Sequence, residues 1–492
     1  MNYPNLFYTD DVVDKSLNDD LTPHELDAHF FTDTSEPLQG DLYEQIAQLD
    51  HLDMDEIVRM LADDSDASAP SMPITVGDFV EGLAQLATMG VVEVTEIVEA
   101  MHREIILRPI GRFNDNHINK WQGGLTGRIY GTVRQIMLLV GNNLSSGLRV
   151  YKSIAKQKSA QPLPDALKKL VNVFNGVMGD HLVNNENSLA VPMVLYDKTG
   201  LLHCKPLSGR VVILCHGLCM SYLNWHPEDD DSLGEKITNN QPDTTVLYLD
   251  YNTGRRISRN GRQFSTLLQD LVDKHPDISQ IDIVGHSMGG LVARSALFYA
   301  KQDRLEWMKR VGNLITLGSP HHGAVLERIG FMVQDIIAKL PFAGSLAHLG
   351  DMRSAGIIDL RHGSIRDADW KSLAGRNVLP QDFRHPTRLP SGIKTYFIAS
   401  ALIETHYDSR TTNLVGDGLV SIASALGEDD DEHGLFVPDG HKAIFYGVSH
   451  MNLVNNDRVR DQVVEWLVDN GRSDYAGRPR IYSYPEDLEV AV

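Results

Sequence analysis

A chain of 492 residues with 42% hydrophobic and 23% charged residues has the make-up of an ordinary soluble globular protein, which excludes fibrous and wholly disordered classes. The net charge of -21 is unevenly spread: residues 1–70 hold 18 Asp/Glu against Lys15 and Arg59, so the remaining 422 residues are near -5. No basic stripe is left to follow a phosphate backbone, and nucleic acid is excluded as an expected partner.

Taken in chain order, residues 1–70 read as an acidic, weakly structured arm, with runs such as Asp63-Asp64-Ser65-Asp66 and an Ala67-Ser68-Ala69-Pro70 end. The first residues lack the basic start and apolar core of a secretory signal. Apolar runs such as Ile136–Val140 fall far short of the roughly 20 residues that cross a bilayer. A cytoplasmic location is therefore expected. Cys204, Cys215 and Cys219 are odd in number and lack metal-ligand spacing, so neither a disulfide framework nor a metal site is expected.

Residues 71–186 read as a helical extension packing on the main domain. Phe79, Leu83, Leu86, Val91, Val94, Val98 and Met101 recur at near-helical spacing from Thr75 onward. A second stripe runs through Leu125, Ile129, Val133, Ile136, Val140 and Leu144, beside Gly123, Gly127 and Gly131. Packing against the main domain is its expected role, and peripheral membrane contact is the alternative. A further helical piece spans Ala166–Met178.

Strand-like runs then follow at Val191–Tyr196, Val211–Cys215, Thr245–Leu249, Ile281–Val284, Leu314–Leu317, Tyr396–Ala399 and Ala443–Tyr446, separated by helical segments. This pattern predicts an α/β class with a mainly parallel sheet, whose ligands sit at the carboxyl ends of the strands.

Between two of these elements lies Gly285-His286-Ser287-Met288-Gly289, running directly from a strand into the helical pattern 291–297. This is the context of a nucleophile elbow: the turn strains Ser287, and Gly285 and Gly289 supply the small residues two before and two after it. A serine hydroxyl needs a base to take its proton and an acid to orient that base, expected in the order Ser, Asp/Glu, His. Asp417, framed by Gly416 and Gly418, is preferred to Asp408 as the acid. His450, on the loop after the last strand, is the expected base, whereas His433 and His441 precede that strand and are expected at the surface. The oxyanion donors are expected to be the N–H groups of Met288 and Leu218, with His216 and Gly217 shaping the oxyanion loop. Cys219 beside them is expected to be a buried filler.

Gly285–Gly290, His216-Gly217-Leu218, Ser221–Trp225, Leu317-Gly318-Ser319-Pro320-His321-His322-Gly323 and Gly416-Asp417-Gly418-Leu419-Val420 together resemble the lipase and esterase branch of the α/β-hydrolases. The likeness covers roughly 187–470 and looks closest to bacterial hydrolases similar to GPI inositol-deacylases and triacylglycerol lipases. It implies an α/β-hydrolase domain over 187–475, with a cap or lid insertion at about 324–390 and a C-terminal tail at 476–492. It further implies a Ser-His-Asp triad, an acyl-enzyme intermediate, no cofactor, and an ester or lipid-like substrate with a medium to long acyl chain. Two alternatives stand beside it: an acyltransferase using the same triad, and a non-catalytic interaction protein on a hydrolase scaffold. Within the insertion, Val325, Ile329, Met332, Val333, Ile336 and Leu340 form an apolar stripe that reads equally as a lid or as a fixed cap helix. The oligomeric state is not legible in the sequence.

Overall fold

The computed structural model describes residues 163, 165–198, 200–201, 206–226, 231–324, 328–330, 354–371, 384–403, 416–429, 432–469 and 479–482, together with parts of 74–85. The acidic arm, the 125–148 stripe, Asp408, Cys204 and most of the insertion stripe lie outside the described residues.

Among the described residues the chain runs α1 (Asp165–Asn184), β1 (Val194–Asp197), β2 (Gly200–Leu201), β3 (Gly209–Cys215), α2 (Leu233–Asn240) and β4 (Thr244–Asp250). It continues through α3 (Ile257–Lys274), β5 (Ile278–His286), α4 (Met288–Asp303), β6 (Val311–Leu317), α5 (Ala355–His362) and α6 (Asp367–Lys371). It ends with β7 (Lys394–Ala401), α7 (Ile422–Ala425), β8 (Lys442–Tyr446), α8 (Asp457–Asp469) and β9 (Arg480–Tyr482).

The strands form one 9-stranded sheet in the order β2-β1-β4-β3-β5-β6-β7-β8-β9. From β4 to β9 every pairing is parallel, and β1 lies antiparallel to both its neighbours. This is the α/β-hydrolase fold expected from the sequence. Two elements were not legible there. The two-residue β2 is too short to show a pattern, and β9 draws residues from the expected C-terminal tail onto the edge of the sheet.

Parallel strands covered on both faces must be apolar throughout, and Val211–Cys215 and Ile281–His286 are buried without interruption. The helices follow from local signals. Helix α2 opens on a reciprocal capping box between Ser232 and Glu235. In α3, Ile257, Phe264, Leu268 and Leu271 share the buried face. Helix α4 is buried nearly all round, because it runs back under the sheet from the end of the central strand. Helical residues 77–79, 81–82 and 85 lie on the chain after α1: Asn187 donates to Gly82 O at 2.9 Å, and Phe79 joins the main core.

One buried carboxylate ties the middle of the sheet. Asp282, fully buried on β5, accepts from Arg210 Nε of β3 at 2.5 Å and from Asn313 N and Nδ2 of β6 at 2.8 Å each. Removing one partner of such a set leaves the others desolvated and unpaired. Asp282→Ala is expected to lower the unfolding free energy by about 3 kcal/mol, read from urea titration at neutral pH. A loss well under about 1 kcal/mol would show that these bonds do not hold the strands.

Candidate active site

The site begins with backbone geometry at the end of β5. Ser287 sits at φ 52°, ψ -122°, a conformation that costs a non-glycine residue roughly 1–3 kcal/mol and persists only where the surroundings enforce it. Its N–H donates to Leu317 O at 2.9 Å, at the end of the neighbouring β6. The chain folds back so tightly that a Cβ on Gly285 would lie 2.5 Å from Gly290 N, and one on Gly289 would overlap the carbonyls of Cys215 and His216. The two glycines expected from the motif are thus sterically required.

Two loops bring the candidate acid Asp417 and the candidate base His450 beside it. His450, 4% exposed, shares a 2.7 Å hydrogen bond between Nδ1 and Asp417 Oδ2, and Asp417 is itself 1% exposed. The other carboxylate oxygen, Oδ1, accepts from Leu419 N at 3.0 Å and Val420 N at 2.8 Å, which locks its orientation. Because Asp417 presents only acceptors when ionised, His450 donates from Nδ1, and Nε2 is left to accept a proton. The main chains are joined too, with His450 N donating to Asp417 O at 3.0 Å.

His286 holds the base from the other side. Its Nε2 donates to His450 O at 2.9 Å, and the two rings lie 5.0 Å apart. Complete burial, with the neighbouring His450 ring adding to it, pushes the His286 pKa down to about 3, so the side chain is a neutral donor near neutral pH.

The loop after β3 closes the remaining side. A Cβ on Gly217 would lie 3.0 Å from Ser287 Cβ, which places this loop directly over the serine. His216 is fully buried; Tyr251 Oη donates to its carbonyl at 2.8 Å, and Nε2 lies 3.2 Å from Asp250 Oδ1, off the line of a hydrogen bond. It is packed into the scaffold, away from the role of a base. Cys219, at φ 60° with its N–H on Thr253 Oγ1, is a buried thiol whose pKa burial pushes up to about 12. Met288 is the first residue of α4, so its N–H has no acceptor within the helix.

A cavity lies between these elements. Leu218, Met220, Ile329, Leu360, Leu419 and Met451 are among its apolar walls, and His286, Ser287 and His450 are the polar side chains in the lining. Ile329 and Leu360 come from the insertion between β6 and β7, which therefore contributes to the cavity wall.

The expected surface positions of His433 and His441 need correction. Both are half-buried: His433 bonds Arg384 O at 3.0 Å, and His441 bonds Thr395 O at 3.0 Å and stacks on Tyr396. Thr395 stands at the start of β7, so His441 lies at the end of the sheet opposite the candidate site, as its place before β8 implied.

One residue at the site was missed as a functional position. Gly318, directly after β6, has φ +58°, and a Cβ there would lie 3.1 Å from Asp417 Oδ2 and 3.2 Å from His450 Nδ1. A bare backbone is needed where β6 passes the acid–base pair. The only sequence signal was a glycine ending a strand.

Residues 206–402 match the family model of the PGAP1-like alpha/beta domain. No curated protein matches the chain. Among solved structures, the mature lipase BlEst2 of Bacillus licheniformis is similar at 20% identity, covering 56% of this chain and 98% of that one, with a TM-score of 0.34. A Listeria innocua gene product is similar at 15% identity over 57% of this chain and 100% of its own, with a TM-score of 0.34. An esterase of Pyrococcus furiosus is similar at 14% identity over 53% and 81%, with a TM-score of 0.30. The fold assignment rests on the strand order and the family match.

His286 gives a pH signature. Its folded pKa of about 3 lies below the ordinary 6.5, so the unfolded chain takes up the proton first as pH falls. The stability linked to neutral His286 is fully present above about pH 6.5 and is lost as pH drops toward 3, at up to about 1.4 kcal/mol per pH unit. Urea midpoints across this range should fall less steeply in His286→Gln than in the wild type; parallel curves would overturn the assignment.

Proposed function

We propose that this chain is a serine carboxylic ester hydrolase in which Ser287 is the nucleophile, His450 the general base and Asp417 the residue that orients it. The observation that carries the reading is the Asp417–His450 hydrogen bond of 2.7 Å beside a cavity that also exposes the strained Ser287. A serine held in that conformation has no evident structural purpose.

In this reading His450 Nε2 takes the Ser287 proton as Oγ bonds to the acyl carbon. The carbonyl oxygen becomes an oxyanion, received by the N–H groups of Leu218 and Met288. The imidazolium, steadied by Asp417, then protonates the leaving alcohol, and an acyl-enzyme remains. A water molecule, deprotonated by His450, attacks that ester; Ser287 recovers its proton and the carboxylic acid departs. His286 and Gly318 hold the acid–base pair in register.

The apolar walls suit a hydrocarbon acyl group better than a polar one, and the motif resemblance to lipases extends the reading to medium to long chains on a lipid-like ester. The insertion between β6 and β7 serves as the cap of this pocket, and the helical residues before α1 pack against the catalytic domain.

Hydrolysis of p-nitrophenyl esters of graded acyl length is the direct test. Rates should rise from acetate toward longer chains, and Ser287→Ala should lose roughly a thousandfold or more in kcat. Wild-type rates in that variant would overturn the nucleophile assignment. Gly318→Ala should lower kcat about 10- to 100-fold with KM nearly unchanged, since its methyl displaces the acid–base pair and not the substrate. An equal loss through KM would show that it shapes the pocket instead.

A further inference from the structure

An open groove of about 590 Å³ runs along α3, with Arg255, Arg259 and Arg262 contributed by α3 and the turn before it, and Asp367 and Trp370 contributed by α6. Three arginines against one aspartate give its lining a net positive charge. Arg262 is answered: its guanidinium lies 3.3 Å from Asp367 Oδ2 and 3.7 Å above the Tyr299 ring. Arg256, the neighbour that caps α3, is answered by Asp359 at 2.6 Å. Arg255 and Arg259 are different. Among the described residues neither has a carboxylate partner, Arg255 donates only to Gln263 Oε1 at 2.6 Å, and Arg259 stands exposed.

Both side chains line the same groove. Burial, and after it the charge of Arg259, lowers the pKa of Arg255, the direction expected for a cation whose surroundings disfavour it. Two cations kept together without a counter-charge destabilise the fold slightly, and a bound anion would reverse that. Guanidinium forks match the oxygen spacing of phosphate, and two of them lining one groove offer it more than one fork. Trp370 also lines the groove, held by its Nε1–H on Ser258 Oγ at 3.2 Å and with the Arg256 guanidinium 4.9 Å from its ring centre. The organic part attached to a phosphate can lie against it.

We propose that Arg255 and Arg259 bind the phosphate group of a phosphate-bearing ligand. The inference stands on this groove and is independent of the hydrolytic reading. Helix α5 links the cavity to the start of α3 beside the groove, since Leu360 lines the apolar cavity while Asp359 bonds Arg256 and Ile257 N. A lipid headgroup is therefore one natural source of the phosphate, and a phosphate compound in solution is the other.

The test uses the full chain, wild type and Arg255→Gln/Arg259→Gln. Calorimetric titration with inorganic phosphate should show binding that weakens about 10-fold or more in the double variant. Co-sedimentation with phosphatidylcholine vesicles carrying phosphatidic acid, or oleate at matched surface charge, decides the source. Preference for phosphatidic acid, lost in the variant, identifies a lipid headgroup; phosphate binding without vesicle binding identifies a soluble ligand. Failure to bind either form of phosphate, equal and substantial sedimentation with both kinds of vesicle, or equal binding by the variant overturns the proposal. An unchanged circular dichroism spectrum checks the fold, and the single variant Arg259→Gln, at an exposed position, repeats the test should the double variant not fold.

Discussion

The whole site depends on one backbone constraint, the turn at Ser287. A parallel strand that feeds straight into a helix must reverse within a single residue, and that residue is forced to positive φ. The strain is tolerable only because β5 is the middle of the sheet. Its neighbours β3 and β6 are hydrogen-bonded along its length, and Leu317 O takes the Ser287 N–H. The same tightness dictates glycine on both sides and leaves the serine projecting from the carboxyl end of the strand. A longer, relaxed turn would lower the strain and lose the placement.

Around that point the fold gathers groups that are far apart in the chain, and it does so with main-chain bonds more than with side chains. The acid loop and the base loop are joined by His450 N to Asp417 O, and the base loop is held again by His286 through His450 O. Fixing backbone carbonyls and amides removes the rotamer freedom that would otherwise let the imidazole drift, which is what preorganisation requires. Gly318 belongs to the same scheme, because its lack of a side chain lets the end of β6 pass beside the acid–base pair.

Buried polarity is arranged differently at the middle and at the end of the sheet's central strand. At the strand's midpoint Asp282 is paired and hydrogen-bonded from several directions, so the charge is compensated. At its end His286 is kept neutral by burial, which avoids a fixed cation beside the candidate base His450. The arginines of the α3 groove lie outside this core, where solvent lowers the cost of their charge.

How much of this could be read from residues alone follows from the range of the physics. Local rules acted within a few positions: apolar runs marked the buried strands, a glycine–serine–glycine turn between a strand and a helix marked the elbow, and Asp417 and His450 stood on glycine-framed or post-strand loops. Strand β2 escaped because two residues carry no period, and β9 because an edge strand pairs on one side only and needs little hydrophobic signal. His441 read as exposed because polar residues before a strand usually are, whereas stacking on Tyr396 shelters it. The arginine groove was invisible because its members come from elements about 100 positions apart, seen only once α6 lies beside α3. The sequence by itself determined the α/β class, the elbow and the identity of the candidate acid and base, since these rest on spacing along the chain. Only the tertiary structure decided which carboxylate oxygen meets the imidazole, that His286 braces the base and that Gly318 must be bare, because those are distances between loops that sequence neighbours do not set.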